Sequence, residues 1–147
     1  MPVITEKWLS DCGFAEVPEY LEASGTENLY RVFGGATSQI IGQCYSFENP
    51  ATVSAAEFDS NIVKWGNLCL YVAHFKPSKG TPMYYGRIDQ SYSMKNEGDG
   101  VERFMGGKAD AKQIWIDPKR AITSLILVGE PRRLIQDKVV MSHAGNA

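Results

Sequence analysis

Histidine is nearly absent from this chain of 147 residues, which has only His74 and His143. Two imidazoles cannot build a multi-histidine metal site, so no metal is expected. Cysteine is scarce as well. Cys12, Cys44 and Cys69 are odd in number and widely spaced, with neither the paired spacing of a zinc site nor the density of a disulfide scaffold. They read as reduced, mostly buried thiols that pack as small hydrophobes. No apolar run approaches the ~20 residues needed to cross a bilayer, and MPVITEKWLSDCGF lacks the basic-then-apolar order of a signal peptide. Charge of one sign is also missing. The formal net charge is −2, the pI is near 5.7 and the 15 basic residues are scattered. Such a chain has no general field for phosphate backbones, so neither general nucleic-acid binding nor membrane association is expected. No P-loop is present, no Ser or Cys sits in a nucleophile motif, and neither GGATSQIIG nor EGDGVERFMGG spells the dinucleotide fingerprint after a strand.

What is present suits one folded α+β domain spanning 1–147. Hydrophobic residues are 44% and charged residues 22% of the chain, near the averages for globular proteins. Residues 3–24 read as a short helical lead-in, with Pro18 suited to the first turn of a helix through Tyr20 to Ala23 and Gly25 ending it. LYRVF and IIGQCYSF read as two strands separated by the Gly34-Gly35 turn. VSAAEFDSNIVKW (53–65) places its apolar residues at helical spacing behind a Ser54 cap with Glu57 three residues on. LCLYVAHF (68–75) is apolar enough for a central strand and makes His74 a core histidine; a Pro-Ser-Lys-Gly turn and a second β-like run, Met83 to Ile88, suggest a hairpin. Residues 89–111 form a polar, Gly-rich loop. QIWID (113–117) and ITSLILVG (122–129) read as strands before a charged tail from Glu130 to Lys138, and His143 falls near a frayed end.

The order of these segments over residues 28–118 resembles the ADP-ribosyltransferase-like superfamily of NAD-consuming toxins. That resemblance implies small, split, mostly antiparallel sheets around an NAD cleft, with a few flanking helices and a core over 28–130. It places Arg31 of LYRVF on the NAD phosphates, where a guanidinium fork suits a pyrophosphate; the alternative is a surface Arg on an edge strand. Tyr45-Ser46-Phe47 matches the superfamily's second strand, with Ser46 hydrogen-bonding the nicotinamide ribose and an aromatic neighbour stacking on the ring. Alternation sends Tyr45 and Phe47 to one face and Ser46 to the other, so one aromatic can equally be core. Transferases of this superfamily usually end with Gln-x-Glu or Glu-x-Glu. Here Gln113-Ile114-Trp115 lacks the second Glu.

A Gly-rich loop leading into a strand with a functional Gln is similar instead to the NAD glycohydrolase toxins, the tuberculosis-necrotising-toxin type and related interbacterial effectors. KADAK, between Gly107 and Gln113, departs from their tighter spelling. On this resemblance NAD or NADP is the substrate, cleaved to ADP-ribose and nicotinamide through an oxocarbenium-like state. Gln113 would hold the ribose hydroxyls, although an amide cannot act as a general base at neutral pH. Glu102, Asp99 and Asp110 are the candidates for that base, the alternative for each being a solvated loop charge, and Glu97 has no stronger claim. Phe104 and Trp115 would flank the cleft, or Trp115 would pack in the core. Gly86 of YYGRI matches a strand-ending Gly of the same toxins. The resemblance also implies delivery as part of a larger secreted effector, action in a target cell's cytoplasm, and an immunity protein that plugs the cleft. Two rival functions remain: ADP-ribosyl transfer to a protein or nucleic acid, and a non-catalytic binding domain.

Overall fold

A computed structural model describes residues 4–34, 39–52, 70–88, 93–95, 102–104 and 111–136, with backbone alone for 93–95 and 102–104. The lead-in starts as expected. Helix α1, Glu6–Cys12, is capped by Thr5, whose hydroxyl accepts from the Trp8 amide at 3.0 Å, and closes on left-handed Gly13 at φ 78°.

Its second half differs from the reading above. Residues Glu19–Glu22 form strand β1, paired antiparallel with β5 (Pro82–Arg87) from Glu19 opposite Tyr85 to Glu22 opposite Pro82. The stretch between Pro18 and Gly25 is too short for a stable isolated helix. As a strand it sends Tyr20 and Leu21 to opposite faces, and both faces of the sheet are packed. Gly25 still ends the element, at φ 97°, with the Glu27 carboxylate accepting the amides of Ser24 and Gly25.

Strands β2 (Leu29–Phe33), β3 (Cys44–Tyr45) and β4 (Tyr71–Pro77) follow. After β5 come the paired β6 (Ser93–Lys95) and β7 (Glu102–Phe104), within the segment read as loop, then β8 (Lys112–Trp115). The segment 122–129 is not one strand. Asp117 caps helix α2, Pro118–Ser124, by accepting the Lys119 amide at 2.9 Å, with Pro118 in the first turn, and only then does β9 (Leu125–Leu127) form. Inside the charged tail, β10 (Arg132–Arg133) brings Leu134 to 1% exposure.

Two four-stranded antiparallel assemblies result. One sheet runs β1-β5-β8-β3; the other runs β10-β4-β2, with β9 also on β4. β4 is central, as its apolar run implies, but β4 and β5 do not form a hairpin and lie in different sheets. Pro77 and Pro82 flank the turn and carry no amide hydrogen, so neither can open a ladder across it. The edge is taken by the lead-in instead: the Ala23 amide donates to Thr81 O at 2.9 Å and the Gly80 amide to Ala23 O at 2.7 Å.

The sheets touch where β2 meets the end of β3. Tyr30 and Ser46 exchange two backbone hydrogen bonds of 2.8 Å. Leu29, Tyr45, Phe75, Met83, Ile114 and Ile116 fill the core between the sheets. Cys12, Phe14, Tyr84 and Trp115 pack with Trp8 on the outer face of the first sheet. His74 is not a core residue: half-exposed, it sits 2.8 Å from Asn28 Oδ1 and stacks on Tyr30. The helix read over 53–65, Cys69 and His143 lie outside the described residues.

Candidate functional site

Alternation along β2 sends Tyr30 and Val32 outward with Val72 and Leu134, and Leu29, Arg31 and Phe33 toward the first sheet. Arg31 is half-buried there. Its Nε donates to Gln39 O at 2.9 Å, one terminal nitrogen donates to Cys44 O at 3.0 Å, and the guanidinium lies 5.9 Å from the centre of the Tyr45 ring. Among the described residues no carboxylate pairs with it. Burial lowers its pKa, while proximity to Tyr45 and Cys44 raises it, and an arginine keeps its charge at any physiological pH. The result is a cation held by carbonyls, with no acid beside it among the described residues.

Gly42 makes that placement possible. A Cβ on Gly42 would stand 2.3 Å from the guanidinium, where only hydrogen fits. Tyr45 locks the same turn: its hydroxyl donates to Gly42 O at 2.8 Å and accepts the Gly42 amide at 3.1 Å. Tyr45 is 3% exposed and packs edge-on to Phe75, so of the two aromatics it is the core one. Burial pushes its phenol pKa up, with the Gly42 hydrogen bond and Arg31 opposing.

Phe47 shares that face but is 41% exposed, its ring 5.3 Å from Tyr85, and the Lys112 ammonium lies 5.2 Å above Tyr85. Ser46 provides the backbone join, and its half-buried hydroxyl accepts the Glu48 amide at 2.9 Å. Arg31, Tyr45 and Phe47 therefore share the inner side of the seam, whereas Ser46, paired with the outward Tyr30, faces the other way.

Gln113 does not join them. Ile114 is in register with Tyr45 and faces the inter-sheet core, so Gln113 and Trp115 face the other way. Gln113, 8% exposed, donates Nε2–H to Cys12 O at 2.7 Å and so ties β8 to the end of α1. Trp115 packs in the outer aromatic cluster and donates its indole N–H to Gln43 Oε1 at 3.2 Å. Period-two alternation along β8 accounts for the separation. Glu102 and Phe104 sit on β7, opposite Lys95 and Ser93; their side chains, and Glu97, Asp99 and Asp110, lie outside the described residues.

Three contributors escaped sequence reading: Gly42, Tyr85 and Lys112. Gly42 falls within the IIGQCYSF run that reads as a strand, and only the folded chain shows the close approach of Arg31 that it permits. Tyr85 and Lys112 carry no motif and become visible only through strand register.

The architecture defines an α+β fold of paired antiparallel sheets, and it is shared with a solved structure. That structure is of Tne2 in complex with Tni2, with a TM-score of 0.55, 12% identity, and coverage of 82% of this chain and 94% of that one. No protein-family model and no curated protein matches the chain.

Proposed function

We propose that this protein is an NAD glycohydrolase of the effector-toxin kind, with NAD or NADP held where the two sheets meet. The observation that carries the proposal is the Arg31 guanidinium, fixed by two carbonyls and Gly42 and without an acidic partner among the described residues. Such a cation suits the pyrophosphate, which cleavage of the nicotinamide–ribose bond leaves intact. The sequence resemblance over 28–118 and the fold shared with Tne2 support the same reading. Because that neighbour is bound to Tni2, a protein partner that covers the cleft belongs to the proposal too.

In the reaction, water attacks C1′ of the nicotinamide ribose, the C1′–N1 bond breaks, and neutral nicotinamide leaves with the bonding electrons. The water proton passes to solvent. Arg31 holds the diphosphate and Phe47 and Tyr85 offer ring faces, while Ser46 contributes the backbone join of the two sheets rather than its hydroxyl. Gln113 acts by fixing α1 against β8, because its amide is engaged with Cys12.

Nicotinamide release from NAD, followed by chromatography, tests this. Arg31→Lys keeps the charge but loses the fork, and it should lower kcat/KM by about 10²-fold while the fold survives by circular dichroism. Unchanged turnover in a folded Arg31→Lys protein would remove Arg31 from the site.

A further inference from the structure

On the outer face of the first sheet, away from Arg31, a cleft of about 390 Å³ opens between the aromatic cluster and α2. That volume falls in the range of small-molecule sites. Its floor includes Tyr84 and Trp115, Tyr20 stands at its side, and Asp117, Lys119 and Arg120 line it from the α2 end. Tyr84 is 4% exposed, and its hydroxyl is buried with no hydrogen-bond partner among the described residues. Buried hydroxyls are almost always paired, so an orphan on the wall of a cleft marks a missing acceptor. Burial raises the Tyr84 pKa, so the hydroxyl is a donor at neutral pH.

Asp117 spends one carboxylate oxygen on the Lys119 amide as the α2 cap, and Arg120 uses Nε on Ser124 Oγ. The Lys119 ammonium and the outer guanidinium nitrogens of Arg120 stand together at the α2 end of the cleft, while Glu22 accepts from the Tyr20 hydroxyl at 3.3 Å. Tyr20, 38% exposed, packs edge-on with its ring 5.4 Å from that of Tyr84.

We propose that this cleft is a second binding site, for a planar aromatic small molecule carrying one anionic group. The ring inserts between Tyr20 and the Tyr84–Trp115 pair, a polar edge of the ring accepts from the Tyr84 hydroxyl, and the anion sits between Lys119 and Arg120. The site stands on the opposite face of the sheet from Arg31 and does not depend on NAD cleavage.

The test is a titration of the whole protein with 1-naphthyl phosphate, read by amide and indole NMR. The Trp115 indole and the 117–123 amides should shift saturably. Lys119→Ala/Arg120→Ala should weaken binding about 10-fold through loss of two rim charges. Tyr84→Phe should weaken it about 5-fold through loss of one hydrogen bond, whereas Arg31→Lys should leave it unchanged. Absence of saturable shifts at Trp115, shifts confined to the Arg31 side, or equal affinity in the double variant would each overturn the site.

Discussion

At the scale of single residues, the fixed Arg31 guanidinium is the product of its neighbours. Gly42 yields the space, Tyr45 clamps the turn, and the Gln39 and Cys44 carbonyls set the direction of the fork. Gly42→Ala is expected to push the guanidinium out of this seat at little cost to the fold, because the atoms a Cβ would meet belong to the end of one flexible side chain. Turnover should fall more than stability explains, and kinetics beside denaturant melts would separate the two. The thiols are expected to be inert. Burial raises Cys12 to about 12 and Cys44 to about 11, so thiolate is scarce near neutrality. Iodoacetamide at pH 8 should modify both far more slowly in the native protein than in urea. The same shifts make stability fall with rising pH: folded and unfolded thiols are both neutral below about 9, and above it the unfolded chain ionises first, until the folded pKa values are passed.

At the scale of elements, the lead-in is part of the first sheet rather than an appendage. Gly86 lets it cross: a Cβ there would lie 3.0 Å from Pro18 Cβ and 3.2 Å from the Phe14 ring. One residue across the ladder, Gln113 anchors the end of α1. Gln113→Leu is expected to cost about 1–3 kcal/mol by orphaning the Cys12 carbonyl, a drop of roughly 2–10 °C in Tm for a chain of this size. If its role is only to anchor α1, KM for NAD should change little in the folded fraction. Elements with strong local signals were legible: β2, β4 and β8 have clear apolar or β-rich runs, whereas the helix of the lead-in lies at Glu6–Cys12 and not after Pro18. Elements decided by partners were not legible. Glu19–Glu22 becomes a strand because the β5 edge needs covering, and β4 and β5 separate because two prolines bar the ladder. At 118–124 the Asp-Pro start outweighs the apolar run that suggested a strand.

At the scale of the whole molecule, two antiparallel sheets are joined by the Tyr30–Ser46 bridge, which places one candidate site at the seam and a second cleft on the far face. The strand carrying Arg31 and the Tyr45-Ser46-Phe47 run were legible as segments, and at the seam Arg31, Tyr45 and Phe47 share a face while Ser46, opposite Tyr30, does not. The facing of Gln113 was not legible, because it depends on the register of β8 against β3. The central claim concerns chemistry, and the identity of the product tests it most directly. The purified protein should be incubated with NAD labelled on the adenylate, and free ADP-ribose and nicotinamide quantified with and without cell lysate. Equal amounts of both products, with no label on macromolecules, are the expected result. Label transferred to a protein or nucleic acid, or intact NAD under both conditions, would contradict the account.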